Sequence, residues 1–351
     1  MLTIAPQLQA ILDKAAQRLP LTREECRYLL LQPAASLASG VIRSAANALI
    51  REKTGNAAII IGQVGIDIHP CEAACRFCSF GEGHTAMPAL RLDKPALKAA
   101  LDGFRQEDDL YGMYLMTMAD SEEALLLDMV SYARSVTPAT TQIWVNTGDR
   151  DRSFFRELAA AGASGAYHVC RLREGTDTRL SPQARRKTME AIRSAGLQLF
   201  SCCEPIGPEH TVDELVESIF LCLDLEVSQF GAMRRIAVPG SPLWDKGQIS
   251  NLEMAHVMGC VGLVYASVES ARFFGVHEPC ESGYLSGANF VTAETGANPR
   301  DTRQDTSKGR GWDMNRCRKL LFECGFTSLL RGDESRIPLD YAYLAQTDSL
   351  M

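Results

Sequence analysis

The chain has no apolar run near the roughly 20 residues that a bilayer-spanning helix requires; its longest, 57–61, has the length of a short strand. A helical membrane span is excluded on that ground. It also lacks an excess of basic charge: 36 Lys and Arg stand against 43 Asp and Glu, a net charge of −7, and no basic run is interleaved with aromatics. Non-specific nucleic-acid binding needs a positive footprint and is not expected. Cysteine is sparse and scattered, 12 in 351 residues, too thin for a disulfide scaffold. Met1-Leu2-Thr3-Ile4 leads straight into a polar, amphipathic segment, so the expectation is a cytoplasmic chain with reduced thiols. No Pro- or Ser-rich linker divides the sequence, and an apolar fraction of 46% supplies one large core. What these absences leave is a soluble enzyme with no nucleic-acid or membrane partner, with a small-molecule substrate as the default and a macromolecular one as the alternative.

What is present is a repeated strand-then-helix rhythm. The first fifty residues are helical: Leu8, Ile11 and Leu12 recur at helix spacing, Thr22 precedes Glu25 by three as a capping box does, and 36–53 forms a third helix. Residues 1–54 are expected to form a helical cover on a barrel made by 55–351. Strands are predicted at 59–68, 113–118, 142–146, 166–170, 197–202, 229–236, 271–274 and 289–292. Helices are predicted at 94–104, 122–135, 151–161, 183–195, 212–225, 252–266 and 315–324, and 295–311 reads as a long polar loop. This order predicts an α/β fold, a TIM-type (βα)8 barrel.

Cys71, Cys75 and Cys78 stand as C-x3-C-x2-C in the run HPCEAACRFCSFG at 69–81. Three thiolates on one loop hold three corners of a cubane [4Fe-4S] cluster and leave its fourth iron open for chemistry. A structural zinc site wants four N or S ligands, and no second C-x2-C or nearby histidine pair completes one. A silent electron-transfer scaffold generally completes its four-thiolate cage. The loop also follows the first predicted strand, on the barrel face where the fold builds its active sites.

The cysteine run resembles the signature of the radical S-adenosylmethionine (SAM) enzymes. The resemblance implies that SAM binds the open iron and is cleaved, by an electron from a flavodoxin- or ferredoxin-type donor, to a 5'-deoxyadenosyl radical. Phe77, just before the third cysteine, takes the place of the aromatic that lies against the adenine in that family. The helical lead-in with Ala45, Ala46, Ile50, Arg51, Gly55 and Asn56 resembles the biotin synthase branch, which includes biotin synthase, a related [FeFe]-hydrogenase maturase and methylornithine synthase. Residues 185–196, 239–243 and 286–289 are similar to that branch as well, so that the likeness runs from roughly 44 to 326.

Several roles follow from the resemblance. Arg185 matches an arginine that contacts the SAM carboxylate, with Arg186 as an adjacent rival and a surface carboxylate as its ordinary partner. Glu174, in 171–175, matches an acid that hydrogen-bonds the SAM ribose, although a glutamate on such a loop is usually solvated. Gly207, in 204–209, falls where the family closes over the adenosine; an ordinary turn would use it equally. The Gly-Gly-Glu-like turn after the second strand is replaced here by 114–120, where Thr117 and Asp120 can accept from the SAM ammonium instead.

Biotin synthase holds a sacrificial second cluster on barrel cysteines and an arginine, whereas the matching strands here offer Met116 and Asn146. Strand five carries Cys202 and Cys203, strand seven Arg272, and Cys280, Cys317 and Cys324 complete the pool from which an auxiliary Fe-S cluster could be built. Buried cysteine acting as a small hydrophobe is the commoner use of such residues, and Cys26, Cys222 and Cys260 are read that way. Rearrangement or fragmentation of an amino-acid-like or cofactor-precursor substrate is therefore placed ahead of sulfur insertion of the lipoyl or biotin type. Tyr114, Asn146, His168, Arg234, Arg272 and His277 are the polar candidates for the lumen and imply a substrate with carboxylate or amino groups.

Overall fold

The segment AAIIIGQVGIDI alternates little, as expected of a strand flanked on both sides by other strands and covered on both faces. It forms β1 (Ala57–Ile68), buried along all 12 residues. The computed structural model describes residues 3–85, 88–105, 107–295 and 312–349. Three helices precede β1: α1 (Pro6–Ala16), α2 (Arg23–Leu30) and α3 (Leu37–Thr54). Thr22 and Glu25 close the capping box of α2, and Ser36 caps α3 through the amide of Ser39. These helices pack on the helical layer of the barrel, α3 against α9 (Asn251–Val264) and α2 against α8 (Val212–Asp224).

After β1 comes a short strand, β2 (Leu90–Arg91), antiparallel to the end of β1. Seven units of helix then strand follow: α4 (Lys94–Phe104) and β3 (Gly112–Thr117), α5 (Glu123–Val136) and β4 (Gln142–Asn146), α6 (Arg152–Ala161) and β5 (Gly165–Tyr167), α7 (Pro182–Ser194) and β6 (Gln198–Ile206), α8 and β7 (Gln229–Arg234), α9 and β8 (Phe273–His277), and α10 (Glu281–Tyr284) and β9 (Phe290–Thr295). β1 and β3 to β9 are parallel in chain order, and β9 returns to β1, so that eight strands close a TIM-type barrel. α11 (Met314–Glu323), β10 (Ser328–Leu330), β11 (Arg336–Pro338) and α12 (Tyr341–Gln346) finish the chain, β10 lying parallel to the start of β1. The predicted polar loop at 295–311 lies outside the described residues from 296 onward.

The lumen is plugged from below by rings. Tyr111, Trp144, Phe200, Phe273 and Phe290 fill it, with Tyr111 5.0 Å from Phe273 and Phe200 5.3 Å from Phe290 between ring centroids. A cavity lies above them, toward the C-terminal strand ends.

β5 is shorter than predicted because its backbone leaves the ladder after Tyr167. The His168 amide still donates to Phe200 (3.0 Å), and the Leu172 amide donates to Glu204 (2.8 Å), which carries the segment beside β6 as a loop.

Candidate active site

The cysteine loop leaves β1 at Ile68 and folds over the barrel mouth. The Cys71 amide donates to Phe80 (2.8 Å), that of Glu82 to Cys71 (3.0 Å) and that of Cys78 to Cys75 (3.1 Å). A Cβ on Gly81 would stand 2.8 Å from the Cys75 carbonyl, so the loop closes only around glycine. Two neighbouring loops pin it: Arg76 pairs with Asp177 (3.1 Å), the Arg179 amide donates to Ala73 (2.9 Å), and the Leu243 amide donates to Arg76 (3.2 Å).

Cys71, Cys75 and Cys78 line one cavity of about 220 Å³ together with Phe77, Thr117, Asn146, Arg171, Arg185, Glu204, Arg234 and Arg235. The same cavity is also lined by Gln63, Tyr114, Met116, Tyr167, Phe200, Met233, His277 and Thr292. None of the cysteines is in a disulfide. Burial raises all three thiols, Cys75 to about 11 and Cys78 to about 12, so they stay protonated. Such thiols ionise when a metal takes the place of the proton.

A cubane would take one thiolate on each of three different irons. Among the described residues no three His, Cys, Asp or Glu stand close enough together to hold a single metal ion.

The remaining candidates fall in three places. Thr117, at the end of β3, lines the cavity, and its hydroxyl donates to the Asn146 carbonyl (2.7 Å), leaving its lone pairs as acceptors. Arg185 also lines it; Nε donates to Val169 (2.8 Å) and one terminal nitrogen to Asp149 (3.2 Å). Burial and the charge of Arg171 hold Arg185 below its usual pKa.

Glu174 does not reach the lining. It is buried behind the wall, accepting from the Arg171 amide (2.9 Å) and the Thr178 hydroxyl (2.5 Å), 3.7 Å from Arg185. Asp120 stands outside, accepting from His69 (3.0 Å) and the Glu72 amide (3.3 Å), so that it braces the cysteine loop. Gly207 is also outside, and a Cβ there would be 2.6 Å from the Arg235 guanidinium, which packs across it.

Of the polar lumen candidates, Tyr114, Asn146, Arg234 and His277 line the cavity. His168 is buried beside the wall, its Nε2–H donating to Asp149 (3.0 Å), and Arg272 pairs with Glu334 (2.7 Å) at the N-terminal, opposite end of β8. Cys202 faces the lumen and Cys203 the outer core, as neighbours on a strand must.

The sequence reading missed Arg171 and Glu204. Arg171 follows β5 and Glu204 lies in β6; they meet at 3.3 Å in the cavity wall. Burial works against the charge of Arg171, and the carboxylates of Glu204 and Glu174 more than restore it. The signal was an arginine on a strand-end loop three residues before Glu174.

No family model matches the chain, and no curated protein sequence matches it. Its fold is that of solved structures. Methylornithine synthase (PylB) superposes with a TM-score of 0.74 at 16% identity, over 90% of this chain and 96% of that one. HydG, a maturase of the [FeFe]-hydrogenase, superposes with a TM-score of 0.76 at 14% identity, over 93% and 76%, and HydG from Carboxydothermus hydrogenoformans with 0.74 at 13%, over 92% and 80%. Both kinds of protein were named above as members of the branch that the sequence resembles, and the likeness holds at the level of fold.

Proposed function

We propose that the chain is a radical SAM enzyme of the biotin synthase-like branch, acting on a small, amino-acid-like or cofactor-precursor molecule by rearrangement or fragmentation. The observation that carries it is the opening of Cys71, Cys75 and Cys78 into one cavity at the C-terminal mouth of the barrel, with Phe77 and arginines beside them. A [4Fe-4S] cluster on these thiolates, with SAM on its open iron, would supply the 5'-deoxyadenosyl radical once a flavodoxin- or ferredoxin-type donor delivers an electron.

The chain's own residues supply the rest. Phe77 offers a ring for the adenine, and Arg185 offers its charge to the SAM carboxylate. Thr117 offers a hydroxyl oxygen to the SAM ammonium, while Glu174 and Asp120 hold Arg185 and the cysteine loop in place from behind. The ring plug keeps water out from below, which a reactive alkyl radical needs. Sulfur insertion draws no support from Cys202 and Cys203, which face opposite sides of β6. Among the described residues no helix is long and apolar enough to cross a membrane.

The test is anaerobic reconstitution of wild type and of a Cys71→Ala/Cys75→Ala/Cys78→Ala variant. Wild type is expected to hold about four irons per chain and to form 5'-deoxyadenosine from SAM under dithionite, and the variant neither. Zinc in place of iron, or no SAM cleavage, would defeat the proposal; iron retained by the variant would reveal an auxiliary cluster and bring sulfur insertion forward.

A further inference from the structure

Apart from its thiols, tyrosines and His277, the cavity is lined by five ionisable side chains: Arg171, Arg185, Glu204, Arg234 and Arg235. Three of the four arginines have a carboxylate: Arg171 has Glu204 (3.3 Å), Arg185 has Asp149 (3.2 Å) and Arg235 has Glu209 (2.9 Å). Arg234, the last residue of β7, has none among the described residues. One of its terminal nitrogens donates to the Ile249 carbonyl (3.2 Å), and its Nε is buried without a partner. A guanidinium so placed is incompletely satisfied, and an anion is what would complete it.

A second orphan lies on the facing wall. Tyr114 is 3% exposed and lines the same cavity, yet its hydroxyl has no partner. In the strand order β1-β3-β4-β5-β6-β7-β8-β9, β3 and β7 are four places apart, hence opposite each other across the lumen. The same lining contributes Met116, Met233, Tyr167 and Phe200, which are apolar or ring surfaces. Glu204 is the one carboxylate in the lining and already faces Arg171; Glu278 and Glu294, near the ends of β8 and β9, lie outside the lining, each engaged elsewhere through an interaction of its own but keeping one buried carboxylate oxygen that accepts no hydrogen bond.

Resting on the reading of this cavity as a reaction chamber, we infer that its substrate is a carboxylic acid with an apolar body. Arg234 takes the carboxylate, and the Tyr114 hydroxyl meets a neutral polar group at the other end. The sequence had left carboxylate and amino groups open; at this end of the cavity the guanidinium of Arg234, with no carboxylate of its own, selects the carboxylate, because an ammonium in its place would face like charge.

The probes are 3-(4-hydroxyphenyl)propionate, tyramine and 3-phenylpropionate, which share a skeleton and differ in the charged end or the hydroxyl. Their dissociation constants are measured by anaerobic calorimetry on the reconstituted full-length protein with SAM present. The hydroxy acid is expected to bind at least tenfold more tightly than tyramine. Arg234→Gln should abolish that difference and Arg234→Lys retain it; Tyr114→Phe should erase the advantage over 3-phenylpropionate and keep the preference for acid over amine. Unfolding midpoints close to wild type establish that the variants fold.

Tyramine binding as tightly as the acid, an unchanged preference in Arg234→Gln, or no binding of any probe overturns the inference. Iron content and 5'-deoxyadenosine formation in the same preparation report on the proposed reaction separately. Their loss with the acid preference intact would sink the reaction and leave the binding site standing.

Discussion

Arg171 shows how one side chain couples the cavity wall to the cysteine loop. Its guanidinium lies 3.3 Å from Glu204 and 3.9 Å from Glu174, and its charge also reaches Cys75. Removing one partner of a buried pair costs more than removing both, since the survivor keeps its desolvation cost. Arg171→Met is expected to destabilise the iron-free protein by about 3 kcal/mol, the low end for a broken buried pair, because the side chain is 18% exposed. Adding Glu204→Gln should recover at least half of that loss in urea unfolding; strictly additive losses would show that the two residues do not act as a pair. The contrast with the cysteines explains what the sequence could reveal. Cys71, Cys75 and Cys78 form a local pattern that is legible by spacing, whereas Arg171 and Glu204 come from successive strand units and become a pair only when β5 and β6 align. Asp120 and Glu174 occur at strand ends, as read, but the backbone turns their carboxylates toward loop amides and hydroxyls instead of the cavity.

At the level of elements, the weakest seam of the barrel lies between β8 and β9, which share a single register pair, Gly275 with Phe290. Asn289 completes that seam with its side chain. Its oxygen accepts from the Phe274 amide (2.8 Å) and its nitrogen donates to the Arg272 carbonyl (2.9 Å), standing in for ladder bonds. Asn289→Ala leaves both backbone groups without partners in a buried site, a cost of about 2–3 kcal/mol. Hydrogen exchange at the Phe274 amide should accelerate in step with that loss, and unchanged protection there would refute the assignment. The sequence reading singled out 286–289 as branch-like without this physical reason. Elements with strong periodicity were legible: β4 and α4 have the boundaries predicted for them, and the other barrel strands match to within a few residues. β2, β10 and β11 are two or three residues long, too short to carry a period, and exist because they pair with β1 or with each other.

For the whole molecule, the buried histidines set the response to acid. Burial, followed by the charge of Arg185, lowers His168 to about 3 despite its bond to Asp149, and burial also lowers His210 and His256. A histidine held neutral in the fold but free to protonate when unfolded near pH 6.5 contributes stability that is complete above that pH. As the pH falls from about 6.5 toward 3, the unfolded chain takes up protons that the folded one refuses, and each such histidine removes up to about 1.4 kcal/mol per pH unit. Asp149 adds to the decline only further down. Burial pushes it up, but His168 and Arg185 outweigh burial and hold it below the usual carboxylate range, so its contribution is lost beneath the unfolded value near 4. The unfolding midpoint of the iron-free protein is therefore expected to be flat from about pH 7 to 8 and to drop progressively below pH 6.5. His168→Asn offers Asp149 an amide donor that does not titrate. It should start lower at pH 7.5, because it leaves space in the wall, and then decline more shallowly, the two curves converging toward pH 5. A decline in the variant as steep as in wild type would place the acid sensitivity elsewhere, in the half-buried His210 before α8 and in His256 of α9.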